Sequence, residues 1–306
     1  MPKCLSFHAA YGCRRSGACC SAGWTIPFDA AELSSARRLP LIHGTIDDTG
    51  AVAIARQRAG GRCTFLEGHS PADHACELHR VGGHAALPLP CRMFPRQVLH
   101  DGRGTFISLS HFCPTAAGML FEDDGPAAIV DAAAGLTGDG TLDGLDARSA
   151  WPPVLRPGIL MDLEAFALWE ECGVELLTRR GVNPYDALRA LSDATSVIDA
   201  WAPDSDVALI EAVRNAFAGV APRTSALRPF DPAVKRWLAA RLFGSWIAYQ
   251  GSALATVVRY LHACHDVFVV ELARDRNPRE AIRRSDRLIV HESSSQQLAT
   301  LLNDRT

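Results

Sequence analysis

The chain has 306 residues, 48% of them hydrophobic and 21% charged, so it can bury a full core and is neither disordered nor collagen-like. Its 31 Lys and Arg nearly balance its 34 Asp and Glu, and the formal charge of −3 argues against nucleic acid or an anionic membrane as a partner. The first residues lack the apolar run of a secretory signal and no stretch is apolar enough for a bilayer span, so we expect a cytoplasmic protein.

Cysteine is concentrated at the start of the chain. Eight of the ten cysteines fall within the first 113 residues, and only Cys172 and Cys264 follow, where apolar helical surroundings predict small core residues. In a reducing compartment, clustered cysteines more often ligate a metal or take part in catalysis than form disulfides. The vicinal pair Cys19-Cys20, flanked by glycines, fits a turn that aims both sulfurs at one cluster or at two neighbouring ions.

Histidine is enriched in the same segment, which holds eight of the eleven: His8, His43, His69, His74, His79, His84, His100 and His111. Their surroundings are polar and glycine-rich, where a solvated surface histidine is the ordinary outcome. We therefore assign none of them as a metal ligand.

Short elements are predicted along this first segment. Asp29 is a good N-cap for a helix from Ala30 to about Arg38. Residues 96–99 and 105–109, on either side of an Asp-Gly turn, predict a β-hairpin. Such a hairpin would return the chain so that Cys91 and Cys113 lie near each other. Proline directly after Cys113 fits both a ligand cysteine and the start of a short helix over 115–121.

The second half of the chain is predicted to be helical. Glycine and proline are frequent over residues 135–158, which predicts a boundary there. Apolar residues recur at helical spacing from Met161 onward, and Asn-Pro or Asp-Pro pairs mark three helix starts. The predicted helices cover about 163–181, Pro184–Ala200, Pro232–Tyr249 continuing past Gly251 to Arg274, Pro278–Val290 and Ser293–Leu301.

These elements predict a mainly α fold. A Cys-rich, loop-rich N-terminal metal-binding region with a small β-hairpin would be followed by an all-α helical bundle. The predicted divisions are 1–124 for the cysteine-cluster region, 125–158 for a Gly/Pro-rich connection and 159–306 for the α-helical domain.

The cysteines stand in an ordered series of motifs: Cys13-x5-Cys19-Cys20-Ser-Ala-Gly-Trp24-Thr-Ile26, Cys63-Thr-Phe-Leu66, Cys76-Glu-Leu-His79, Leu87-Pro-Leu-Pro-Cys91-Arg-Met-Phe-Pro95-Arg96 and Ser108-Leu-Ser-His-Phe-Cys113-Pro-Thr-Ala-Ala117. The series resembles the YkgJ-type cysteine-cluster proteins, a zinc- or iron-chelating family, and most closely their flagellin lysine-N-methylase (FliB-like) branch. The resemblance covers about the first 120 residues. It departs from the family at Ser16, where many members have a cysteine, and serine is a poor ligand for a soft metal.

The resemblance implies a cysteine-cluster metalloprotein with an iron–sulfur cluster, more readily of the 4Fe-4S type, or zinc. Its implied ligands are Cys13, Cys19, Cys20, Cys63, Cys76, Cys91 and Cys113. Seven thiolates exceed the four that one tetrahedral ion or one four-iron cluster needs, which leaves open either two centres or a few cysteines that are catalytic or merely buried.

The same branch implies a protein-modifying enzyme that transfers a methyl group from S-adenosylmethionine to lysine side chains of flagellin or another protein. No sequence motif identifies its catalytic groups, and Trp24, Glu164, Glu170 and Tyr249 are eligible by residue type only. The alternative is a non-catalytic protein that chelates or senses metal, or that binds zinc for structure. Cysteines that are simply reduced core residues form a third option, which their clustering disfavours.

Overall fold

The structure is a computed structural model that describes residues 1–41, 46–69, 74–122, 125–138, 140, 142–222, 224, 226–292 and 295–303. The chain forms two compact units. Unit 1 comprises Met1–Tyr11, Arg96–Phe112 and Ala116–Thr306, and unit 2 comprises Gly12–Pro95 and Cys113–Thr115.

Helices dominate the structure, and the predicted mainly α fold is confirmed. The strands are β1 Lys3–Leu5, β2 Pro27–Phe28, β3 Ile46–Asp47, β4 Ala53–Ala55, β5 Leu66–Glu67, β6 Ala75–Cys76, β7 Arg96–Asp101, β8 Gly104–Leu109, β9 Ile129–Asp131, β10 Leu145–Asp146, β11 Val154–Arg156 and β12 Ile159–Leu160. The α-helices are α1 Ala30–Arg37, α2 Glu77–Gly82, α3 Leu89–Met93, α4 Pro114–Met119, α5 Ala134–Thr137, α6 Leu163–Thr178, α7 Pro184–Asp199, α8 Leu209–Ala218, α9 Asp231–Leu242, α10 Ile247–Gln250, α11 Leu254–Asp275, α12 Pro278–Asp286 and α13 Ser295–Asn303. A π-helical segment follows α12 over Arg287–His291. None of the helices in the described ranges is long and apolar enough to cross a membrane.

Unit 1 contains a five-stranded sheet in the order β10-β7-β8-β1-β9. The predicted hairpin is confirmed, since β7 and β8 pair antiparallel from Arg96↔Leu109 to Asp101↔Gly104. Strand β1 runs parallel to β8 and antiparallel to β9, and β10 runs parallel to β7. The sheet therefore joins strands from three distant parts of the sequence.

The two compact units differ from the predicted divisions 1–124, 125–158 and 159–306. The sheet of unit 1 takes β1, β7 and β8 from the predicted cysteine region and β9 and β10 from the predicted connection. Those strands therefore belong with the helices rather than apart from them. Glycine and proline mark local turns in the sequence, whereas pairing between distant strands leaves no local mark.

Two helices of unit 1, α7 and α12, begin at Asn-Pro pairs as predicted. Asn183 Oδ1 accepts a hydrogen bond from the Asp186 N–H at 2.8 Å, and Asn277 Oδ1 accepts one from the Glu280 N–H at 3.2 Å. The predicted last helix starts at Ser295 in the structure, and Ser293 and Ser294 lie outside the described residues. The core of this part is built around the fully buried Trp169, Trp237, Phe166 and Phe268.

One predicted helix of unit 1 is wrong. The segment expected to be continuous from Pro232 to Arg274 is divided into α9, α10 and α11. The first break falls at Gly244, whose φ of +60° is the left-handed conformation that glycine adopts readily. Its N–H donates to Glu170 Oε1 of α6 at 2.8 Å, so a carboxylate from another helix replaces the helical acceptor. The helix expected over Pro278–Val290 is also shorter than predicted, because its α-helical part, α12, ends at Asp286.

Unit 2 is made of short elements. It contains α1 to α3, a three-stranded sheet in the order β2-β4-β3 and the paired strands β5 and β6. Helix α1 is confirmed, and Asp29 and Glu32 form a capping box at its start. A small apolar core includes Phe28, Phe65 and Leu78, and it is packed on its edge by Cys63, Cys76 and Cys91.

Candidate metal centre

All seven predicted cysteines belong to unit 2. The ten cysteines of the chain all lie within the described residues, and none of them forms a disulfide. Five of the seven interact electrostatically with one another and are called here the five-thiol cluster: Cys19, Cys20, Cys63, Cys76 and Cys91. Cys13 is exposed, and among the described residues its Sγ accepts a hydrogen bond from the Arg15 N–H at 3.4 Å. Cys113 is buried.

The vicinal cysteines lie in a 3₁₀ turn over Cys19–Ser21. The Cys20 N–H donates to the Gly17 carbonyl at 3.1 Å, and the Cys20 carbonyl accepts from the Cys63 N–H at 2.8 Å. Gly17 has a φ of +68°, and a Cβ added there would lie 2.7 Å from His74 Nδ1. Glycine is therefore required both by the turn and by the imidazole packed against it.

Two of the other three cysteines of the cluster, Cys76 and Cys91, lie on a strand and on an α-helix. Cys76 is on β6, where it pairs with Leu66 of β5. Cys91 is on the short helix α3, which is held by Glu32 of α1. Glu32 Oε1 accepts from the Leu89 N–H at 2.8 Å and from Arg92 Nη2 at 3.2 Å. The carboxylate that caps α1 thus also fixes the helix that carries Cys91.

Thiol–thiol hydrogen bonds connect three members of the cluster. Cys19 Sγ and Cys20 Sγ are 3.9 Å apart, and the Cys20 thiol also hydrogen-bonds to Cys76. Hydrogen bonding from Cys20 lowers the pKa of Cys19, and it lowers the pKa of Cys76 to about 7. The same bonds raise the pKa of Cys20, which is the member that keeps its proton.

Burial acts in the opposite direction on the remaining two thiols. It raises the pKa of Cys63 and, more strongly, that of Cys91, and the neighbouring charges of Cys19 and Cys76 add to both increases. The cluster therefore concentrates negative charge as its protons leave. A bound cation would offset that repulsion, because metal ligation requires thiolates.

The thiols do not yet form a complete coordination sphere. Across the described residues, no group of three or more His, Cys, Asp or Glu side chains meets the geometry of a metal-ion site. The 3.9 Å between Cys19 Sγ and Cys20 Sγ is nevertheless close to the roughly 3.8 Å expected between two ligands of a tetrahedral centre with Zn–S bonds of about 2.3 Å.

No family profile, curated protein or solved structure matches this chain.

The residues that position the cluster were not identified from the sequence. The sequence points to Asp29 but not to Glu32 at the start of α1, and it predicts His74 only as a surface histidine. His74 Nδ1 lies 3.2 Å from the Ser16 carbonyl oxygen, next to the turn that carries the vicinal cysteines. The Asp29-x-x-Glu32 pattern was the available signal for Glu32, since it is typical of a capping box.

The four residues whose type would suit catalysis lie in different parts of the structure. Trp24 packs against Phe94 in unit 2, with ring centroids 5.3 Å apart. Glu164 is exposed on α6 in unit 1. Glu170 and Tyr249 both belong to a buried network of unit 1, in which Arg103 bonds to Glu170 at 3.1 Å and Tyr249 Oη donates to an Asp101 oxygen at 2.6 Å.

Proposed function

We propose that unit 2 is a thiolate metal-binding module. Its ligands would be drawn from the five-thiol cluster: Cys19, Cys20, Cys63, Cys76 and Cys91. The observation that carries the proposal is the mutual interaction of these five thiols, which come from four separate segments of the chain. Burying several ionisable thiols side by side raises their mutual repulsion, and a soft cation is the partner that relieves it.

The donor set suits two kinds of centre. Four thiolates bind one tetrahedral zinc ion, and four thiolates also bind a four-iron cluster, one to each iron. Cys76, whose pKa is lowered to about 7, supplies a thiolate near neutral pH, and the pKa of Cys19 is lowered as well. In either case the metal would supply folding free energy to a unit whose elements are short and whose apolar core is small.

The experiment is metal analysis of the full chain purified without oxygen. Iron with sulfide and a broad absorption near 400 nm would identify an iron–sulfur centre, and a colourless protein with zinc would identify a zinc site. Either outcome supports the proposal. A folded protein without stoichiometric metal, which stays metal-free after incubation with zinc or after cluster reconstitution, would refute it.

Cysteine variants assign the ligands. Cys76→Ser and Cys91→Ser should each lower bound metal sharply, because a serine hydroxyl is a harder and less acidic donor than a thiol. The matched controls are Cys4→Ser, Cys172→Ser and Cys264→Ser, which should retain the metal of the parent protein. Cys264 is fully buried in unit 1, so its variant should lose about 1–3 kcal/mol of stability without losing metal. Metal loss in Cys264→Ser together with full retention in Cys91→Ser would contradict the assignment.

Lysine methylation with S-adenosylmethionine as the donor stays a prediction of the resemblance, as does a flagellin-like protein substrate. The metal measurements above do not depend on it. Incubation of the metal-loaded protein with labelled S-adenosylmethionine and flagellin would separate a methylating enzyme from the alternative, a non-catalytic chelator, sensor or structural zinc protein.

A further inference from the structure

Unit 1 contains a cavity that lies outside the candidate metal centre. Its volume is about 210 Å³. The cavity is bounded by β7, β8, α9, the turn between α9 and α10, α11 and the segment after α12. Most of its wall is apolar, and the large side chains in that wall are Phe243, Trp246, Ile247, Ile289, Val290 and Leu298.

Three side chains that line the cavity can donate hydrogen bonds: Arg241, Gln97 and Ser245. Arg241 Nε is buried without a hydrogen-bond partner among the described residues. The Gln97 side-chain oxygen accepts from Arg241 Nη1 at 2.6 Å, and its side-chain amide nitrogen carries two further N–H groups. Ser245 is buried, and its hydroxyl is the third donor of the lining. A buried donor without an acceptor is costly, so this wall is suited to an incoming oxygen atom.

The charges around the cavity favour an anion over a cation. Arg241 is the charged side chain of the lining, and none of the described lining residues is acidic. Its nearest carboxylate, Asp286, stands 3.7 Å from Arg241 Nε and is occupied elsewhere. Asp286 accepts hydrogen bonds from Trp237 Nε1 at 2.8 Å and from the Ser110 hydroxyl at 3.0 Å. Asp286 therefore partly balances the guanidinium charge without taking its Nε–H.

From these contacts we infer that the cavity binds a small monocarboxylate with an apolar tail or ring. The carboxylate oxygens would accept from Arg241 Nε–H, the Gln97 amide and the Ser245 hydroxyl, and the apolar part would pack on Trp246 and Ile289. A small-molecule site usually has a mostly apolar wall with a small number of polar groups that converge on the ligand. Charge-assisted hydrogen bonds from a guanidinium to a carboxylate are among the stronger ones in proteins.

The test uses the full-length protein and three probes of equal length: hexanoate, hexanamide and hexylamine. Binding is measured by calorimetry and by the change in tryptophan fluorescence, since Trp246 lies in the cavity wall. Hexanoate should bind with a saturable signal, hexanamide about tenfold more weakly and hexylamine not at all. A Trp246→Phe variant should bind hexanoate with a reduced fluorescence change.

Two sets of variants test the location. Ser245→Ala removes one donor and should weaken hexanoate binding about three- to tenfold, while Arg241 and its ion pair stay intact. Gln97→Met removes the amide donors together with the oxygen that accepts from Arg241 Nη1, so it should weaken binding at least as much. Val290→Trp should abolish binding by filling the cavity, and the control Val270→Trp, at an exposed site on α11, should leave it unchanged. Hexylamine binding equal to that of hexanoate, unchanged affinity in Val290→Trp, or no binding at millimolar hexanoate would each overturn the inference.

Discussion

The stability of unit 1 should fall as the solution is made mildly acidic, because His291 is held neutral in the native state. Its Nε2 lies 2.7 Å from the Ser110 hydroxyl, which uses its own proton to bond to Asp286, so His291 must be the donor in this contact. Burial lowers the pKa of His291 from 6.5 to about 4, although the nearby Asp286 carboxylate acts in the opposite direction. Burial likewise depresses the pKa of His8 well below its ordinary value.

The direction of this change in stability follows from the number of protons that each state binds. Between pH 6.5 and 4 the unfolded chain binds a proton on His291 and the native protein does not, so stability present above pH 6.5 is lost as pH falls toward 4. A shift of this size corresponds to about 3 kcal/mol in full, of which about 2 kcal/mol is lost by pH 5. Asp286 and Glu292 favour the protonated imidazole, and Arg241 and Arg287 oppose it, so these charges are part of the net shift.

The assay is urea unfolding followed by tryptophan fluorescence at pH 7.5, 6.0 and 5.0. Five of the six tryptophans belong to unit 1, so the signal reports mainly on that unit. His291→Gln keeps an N–H donor for Ser110 but cannot titrate, and it should reduce the loss of stability between pH 7.5 and 5.0 by about 2 kcal/mol. The control His69→Gln, at an exposed site in unit 2, should leave the loss unchanged. Equal pH dependence in His291→Gln and the parent protein would refute the reasoning.

Three further predictions follow from the contacts described. Glu32→Ala should lower the free energy of unfolding by about 1 kcal/mol, because the capping box of α1 is lost. It should also speed the loss of metal to a chelator, because Glu32 accepts from the Leu89 N–H of the helix that carries Cys91. An unchanged rate of metal release would contradict this. Asp286→Asn should cost about 3–5 kcal/mol in urea unfolding, since it leaves the buried Arg241 without its countercharge, and a cost below about 1 kcal/mol would count against the pair. Removing the metal should increase amide hydrogen exchange in unit 2 more than in unit 1, because the apolar core of unit 2 is small; equal protection with and without metal would speak against a metal-stabilised unit.

Local signals in the sequence predicted local structure well. The Asp-Gly turn predicted the hairpin of β7 and β8, and the Asn-Pro pairs predicted the starts of α7 and α12. The break between α9 and α10 could not be predicted in this way, because it depends on the Gly244 N–H reaching Glu170 of α6. A glycine within an apolar stretch is compatible with either a continuous helix or a break, and only the tertiary contact decides between them.

The sequence predicted that cysteines gather in one part of the fold, but not how they are arranged there. Cysteine clustering predicted a common site, and five of the seven residues do interact. Cys13 and Cys113 lie outside the five-thiol cluster: Cys13 is exposed and accepts from the Arg15 N–H, and Cys113 is buried. The supporting roles of Glu32 and His74 depend on contacts across 57 and 58 sequence positions, which residue spacing does not encode.

The pairing of β1 with distant strands limits when the sheet of unit 1 can form during synthesis. Lys3 pairs with Phe106 and with Asp131, so β1 leaves the ribosome well before its two neighbours, which are made more than a hundred positions later. Residues 12–95, in contrast, supply nearly all of unit 2 before those neighbours exist. Closing the sheet then brings together the ends of a long intervening segment, and the entropy lost is smaller when that segment is already folded. The state of the cysteine-containing unit at that moment would thus set how readily the nascent chain completes its central sheet.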